Sequence, residues 1–115
     1  MTAQTNRREL AHPSRAEIRL EDVLHALSDP QRLRIVCEVA REAEGLTCSQ
    51  VGLPVAKSTL THHFRVLREC GVVQQVYRGT AKMNRLRRED LEALFPGLLD
   101  GVLRAARAQA GRGTA

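Results

Sequence analysis

The chain has no tryptophan, one tyrosine and two phenylalanines, so aromatics make up only 3% of its 115 residues. Proteins that hold single-stranded nucleic acid stack its bases on aromatic platforms. That mode is poorly supplied here, and a duplex or a non-nucleic partner fits better. Also missing is any uninterrupted run of the roughly 18 apolar residues that a membrane span needs. The opening MTAQTNRRELAHPSRAE is basic but lacks the apolar centre of a secretory leader, so a cytoplasmic location with no membrane partner is expected. Cys37, Cys48 and Cys70 form an odd, widely spaced set with no Cys-x-x-Cys knuckle. This excludes a secreted disulfide framework and a zinc knuckle, and the thiols are expected to be reduced. Neither internal repeats nor low-complexity tracts occur.

What is present is basic charge. Lys and Arg number 18 against 13 Asp and Glu, a net charge of +5, and the pI is near 9.9. Such a balance favours a polyanionic partner. The length suits one domain with a modest core. Residues 1–15 are polar and the tail after residue 108 is glycine-rich, so the folded domain is expected over 16–108, with mobile segments at 1–15 and 109–115.

AEIRLEDVLHALSDP places Leu20, Val23, Leu24 and Leu27 at helical spacing and ends at Asp29-Pro30, since proline disfavours helix in the residue before it. Ser28 or Asp29 then caps a second helix with Pro30 in its first turn. Leu33, Val36, Val39 and Ala40 follow on one face, with Cys37 pointing inward. LTCSQVGLPVA allows only a short helix after Thr47, because Gly52 and Pro54 break it. After Gly71, VVQQVYRGTAKMNRL is rich in β-branched residues and interrupted at Arg78-Gly79-Thr80, which reads as a hairpin. From Arg88 a helical pattern resumes, kinked or restarted at Pro96. The expected fold class is therefore mainly α with a small β-hairpin, a winged helix-turn-helix. The first and last helices carry apolar stripes broader than so small a domain covers, and pairing both with a second copy gives a homodimer.

Between these elements lies KSTLTHHFRVLRECGVV, Lys57 to Val73. At about 100° per residue, Leu60, Phe64 and Leu67 fall on one stripe facing the core. Ser58, His62, Arg65 and Glu69 lie opposite, Thr59 and Thr61 flank them, and His63 borders the apolar stripe. Adjacent histidines diverge on a helix and cannot share one metal ion, whose helical ligands are spaced i, i+4. Nor does Thr61 beside His62 on a convex face provide a nucleophile, an orienting partner and a pocket, so no enzyme is expected. Hydroxyls and a lysine at a helix start suit phosphate oxygens, and His62 with the threonines suits base edges in a major groove. Arg78, Lys82 and Arg85 make the following hairpin basic. The plainer alternative is a solvated polar helix face.

LSDPQRLRIV (Leu27 to Val36) together with KSTLTHHFRVLRECGVV resembles the ArsR/SmtB family of dimeric winged-helix repressors, with its D-P-x-R-L-x-I stretch and S-T-x-S-H-H-L-x-x-L-x-x-A-G-L recognition segment. The resemblance covers about residues 18–105. It implies a dimer held by the first and last helices, operator binding through Lys57 to Arg68, and a wing over Val72 to Leu86. Carried over by position, Ser58, Thr59, Thr61, His62 and His63 match DNA-reading positions, and Arg78, Gly79 and Lys82 match the wing; Lys57 and Arg65 complete the candidate set. For His63 the helical wheel favours packing.

The family's sensor sites are not reproduced. Thiol-sensing members carry Cys-x-Cys at the start of the third helix, where Cys48 stands alone, and no His or Cys follows Cys70. Cys48 is kept as a candidate thiol sensor beside the alternative of an ordinary half-buried thiol. Cys37 and Cys70 read as small core residues, beside the alternative that the three thiolates, or Cys48 of both subunits, take a soft metal or As(III). His12 and His25 have no partner at ligand spacing and are assigned no role. No metal or cofactor is implied, and no inducer is singled out. The expected function is that of a sequence-specific, homodimeric transcriptional repressor binding a double-stranded operator; the competing reading is a winged-helix protein-interaction module.

Overall fold

In the computed structural model, which describes residues 9–113, a 3-10 turn at Arg15–Glu17 leads into helix α1, Leu20–Leu27. Helix α2, Pro30–Ala40, starts as the sequence requires: Asp29 accepts hydrogen bonds from the N–H groups of Gln31 (2.9 Å) and Arg32 (3.1 Å), and Pro30 occupies the first turn. Such a cap stabilises a helix by about 1 kcal/mol. Strand β1, Leu46–Thr47, runs directly into helix α3, Cys48–Val51. Helix α4, Lys57–Glu69, then gives way to strands β2, Val73–Arg78, and β3, Ala81–Leu86, followed by helices α5, Arg88–Leu94, and α6, Leu98–Gly113.

The expected hairpin is present, with a turn at Gly79-Thr80. Only Gly79 has positive φ there, +62°, which suits the first position of a type II′ turn. Sequence reading missed β1. Two residues are too few for periodicity to register, yet Leu46 and Thr47 pair with Asn84 and Met83, making a three-stranded antiparallel sheet of order β1-β3-β2. The architecture is a winged helix-turn-helix.

Two ends of the chain differ from expectation. Residues 1–8 lie outside the described residues, but residues 9–14, expected outside the core, run along the sheet. His12 Nε2 accepts a hydrogen bond from the N–H of Gln75 on the edge strand β2 (3.0 Å), and the Pro13 carbonyl accepts one from Arg87 (2.7 Å). Unused edge N–H groups need partners, and His12, given no role from sequence, supplies one. At the other end α6 continues to Gly113, past residue 108.

The core joins Val23, Ala26 and Leu27 of α1, Ile35, Val36 and Val39 of α2, Leu60, Phe64 and Leu67 of α4, Val72 and Val73 at the wing, and Leu91, Leu99 and Leu103 from α5 and α6. Leu33 and Cys37, expected on the inner face of α2, are only partly buried, while Arg32 and Ile35 go inside. Leu20 and Leu24 of α1 stay exposed, at 42% and 46%. Pro96 lies in the break between α5 and α6, as anticipated.

Candidate nucleic-acid interface

Helices α3 and α4, joined by the turn from Gly52 to Ala56, form the helix-turn-helix. On α4, Leu60, Phe64 and Leu67 are buried, while Lys57, Ser58, Thr59, Thr61, His62 and Arg65 are exposed. The helix starts at Ala56, whose side chain cannot cap, so the first-turn N–H groups beside Lys57, Ser58 and Thr59 suit an anionic oxygen from outside. At the other end, Gly71 adopts φ +87°, and a Cβ there would lie 2.6 Å from Ile18 Cγ1. The left-handed φ ends the segment at Cys70-Gly71, and the close approach of Ile18 leaves no room there for a side chain.

His63 is not on this exposed row. It is 7% exposed, with Nε2 2.8 Å from Gln31 Oε1, Nδ1 3.4 Å from Arg32 Nη1, and the Asp29 carboxylate 3.9 Å from Nε2. Burial lowers its pKa below 6.5; Asp29 opposes the shift, and Arg32 and His62 add to it. Arg32, itself buried, also donates to the carbonyls of Ala26 (2.8 Å) and His25 (3.3 Å) at the end of α1. Sequence reasoning missed Arg32. Its spacing held the signal: Arg32, Ile35, Val36 and Val39 are i, i+3, i+4 and i+7 on the buried face.

The wing carries Arg78 and Gly79 exposed at its tip, with Lys82 partly buried. Tyr77 pairs with Lys82 across the strands, and Lys82 Nζ lies 5.8 Å from the Tyr77 ring centroid, a cation–π distance that holds the ammonium over the ring. Beneath the wing, Gln75 and Asn84 are opposite one another and almost fully buried, at 2% and 0% exposure. Neither residue was singled out from the sequence, because a polar residue in an alternating strand reads as outward-facing.

Cys48 is partly buried and lies 3.6 Å from Asn84 Nδ2, a weak N–H···S contact. Burial raises the pKa of the Cys37 and Cys70 thiols above 9.0, so the neutral thiol is favoured at both. Among the described residues no group of three or more His, Cys, Asp or Glu side chains could hold a metal ion, and no helix is long and apolar enough to cross a membrane.

Residues 29–75, spanning α2 to the start of the wing, match the model of the bacterial regulatory protein arsR family. The chain is also 31% identical over 80 residues to an uncharacterized HTH-type transcriptional regulator, YceK, of Bacillus subtilis (strain 168), covering 68% of this chain and 80% of that protein. The chain belongs to the arsR family. Among solved structures, an ArsR-like transcriptional regulator from Rhodococcus sp. RHA1 is similar with a TM-score of 0.59 and 27% identity, over 83% of this chain and 90% of that one. The transcriptional repressor BigR from Xylella fastidiosa shares the fold, with a TM-score of 0.54 and 24% identity over 66% of this chain and 85% of that one. This ArsR-family chain is therefore a transcriptional regulator with a DNA-binding helix-turn-helix, in a family of regulators and not of enzymes.

Proposed function

We propose that the protein is a homodimeric, sequence-specific repressor that binds an imperfect palindrome in duplex DNA, with α4 of each copy in successive major grooves about 34 Å apart. The observation that carries this reading is the exposed set Lys57, Ser58, Thr59, Thr61, His62 and Arg65, which occupies and flanks the face opposite the buried Leu60, Phe64 and Leu67. A helix so divided presents a short polar ridge to a groove while its other face is locked to the core. Lys57, Ser58 and Thr59 engage phosphate, Thr61 and His62 meet base edges, and Arg65, Arg78, Gly79 and Lys82 contact the flanking backbone. His63 supports the ridge from beneath and does not itself reach the bases. The second copy covers Leu20 and Leu24 of α1 together with the partly exposed Leu98 and Val102 of α6. Cys48 remains the one candidate for thiol-linked control, and operator affinity that ignores a Cys48→Ser change under metalloid or oxidant challenge removes it.

The test is selection of genomic fragments by the purified protein, followed by titration of the enriched duplex at two salt concentrations, wild type against His62→Ala. Displacing counterions from several phosphates gives a steep loss of affinity with salt. An enriched palindrome, bound steeply with salt and weakened by His62→Ala, is the expected result. No enrichment, or binding indifferent to salt and to His62, would favour a protein-interaction module.

A further inference from the structure

A continuous hydrogen-bonded path runs from the recognition helix through the wing to the start of α3. Arg68 Nη1, in the last turn of α4, donates to Gln75 Oε1 on β2 at 2.7 Å. Gln75 Nε2 donates to Asn84 Oδ1 on β3, also at 2.7 Å. Asn84 Nδ2 then donates to the Leu46 carbonyl on β1 at 3.0 Å and lies 3.6 Å from Cys48 Sγ at the start of α3. Arg68 Nε is buried with no partner among the described residues.

Two amides with almost no exposure are an unusual filling for a small core. Burying them costs free energy unless their hydrogen bonds are made, and an apolar pair would pack there at no such penalty. What an amide pair adds is direction, since each bond tolerates only a narrow range of angle and distance. The covalent link between α4 and β2 is the single turn Cys70–Val72, and β3 is paired on its other side with β1. The bond from Arg68 to Gln75 adds a side-chain attachment between α4 and β2, its two residues seven apart along the chain. The one from Asn84 to Leu46 reinforces the pairing of β3 with β1, on the far side of β3. Arg68, Gln75 and Lys82 line one cleft of about 180 Å³ with Thr61 and Arg65, so the path lies directly behind the proposed DNA contacts.

We propose that Arg68, Gln75 and Asn84 are positioning residues that fix the wing relative to the recognition helix, so that Lys82 and Arg78 meet phosphate only in the register set by α4. None of the three itself touches DNA. The proposal rests on the DNA-binding reading above.

The experiment is a cycle on the salt dependence of binding to the enriched duplex. In the wild-type background Lys82→Ala lowers the salt slope by about one, the signature of one lost phosphate contact. In a Gln75→Leu background, which leaves the net charge unchanged, the same Lys82→Ala change is expected to lower the slope by about zero, because the wing is no longer held in place. Arg68→Lys keeps a donor for Gln75 and retains the wild-type response, whereas Arg68→Met loses it. If Gln75→Leu fails to melt cooperatively, the apolar pair Arg68→Met with Gln75→Leu, which leaves neither partner of that bond unpaired, takes its place. A full Lys82 response in these folded backgrounds overturns the positioning role while leaving DNA recognition intact. Absence of salt-dependent binding by the wild type overturns both.

Discussion

Arg32 Nη1 and His63 Nδ1 lie 3.4 Å apart, and because a guanidinium only donates, the ring nitrogen facing it is the acceptor. His63 therefore carries its proton on Nε2 and donates it to Gln31 Oε1 at 2.8 Å. Through Arg32, which also holds the Ala26 and His25 carbonyls, the recognition helix is tied to the end of α1. The two adjacent histidines thus have different environments, His63 buried beneath the helix and His62 exposed upon it.

Substitution separates them. His63→Ala leaves a buried guanidinium without one of its partners and is expected to destabilise the fold by about 1–3 kcal/mol, read as a lower melting temperature. His62→Ala, at an exposed position, is expected to change stability by less than about 0.5 kcal/mol. On the proposed reading it weakens operator binding by about 1–3 kcal/mol. Equal effects of the two variants on stability would contradict the placement.

Acid should loosen the fold. The pKa of His63 is lowered in the folded state, chiefly by burial, and that of His12 is lowered chiefly by burial, with Arg68 and Arg87 adding to it and a bond to the Leu10 backbone opposing it. With the folded pKa depressed below 6.5, the unfolded chain binds more protons as pH falls through 6.5. Stability is then complete above that value and declines below it. Melting curves between about pH 7.5 and pH 5.5 are expected to show this decline. His63→Gln should reduce it, and an undiminished slope in that variant would remove His63 as a cause.

Gly71 and Gly79 both have positive φ, but only Gly71 has a neighbour in the way of a Cβ. Gly79→Ala carries the left-handed penalty alone, about 1–2 kcal/mol. Gly71→Ala adds overpacking against Ile18, about 1–3 kcal/mol more. Chemical denaturation of the two variants measures the difference, and equal losses would mean that Ile18 moves aside freely.

The proposed dimer is tested at Leu24, 46% exposed on α1. Leu24→Asp is expected to give a folded monomer by sedimentation velocity and to weaken operator binding, since both half-sites are then no longer held by one particle. A dimer that survives this change assembles through another face.

Much of the site was legible in the sequence. The stripe of Leu60, Phe64 and Leu67, the cap at Asp29-Pro30 and the turn at Gly79 each follow from local spacing, and each is where expected. The rest depends on partners distant in sequence. His12 meets Gln75 across 63 residues, and Arg32 meets His63 across 31. No periodicity encodes such contacts, so the sequence assigns no role to His12 or Arg32, and only for His63, at the border of the apolar stripe, does the helical wheel favour packing. The family's sensor motifs would have marked a further site, but here the sequence offered only Cys48, which the fold sets against Asn84.

The two-residue strand β1 also bears on how the chain comes together in time. Its bond from Asn84 to Leu46 closes a loop of 38 residues that contains all of α3 and α4. Closing such a loop costs entropy before the contact is rewarded, and contacts of long sequence separation slow folding. Leu46 and Thr47, on the far side of the sheet from the wing's outer edge, thus pair the segment that leads into α3 with β3, so that the helix-turn-helix and the wing are assembled on one another.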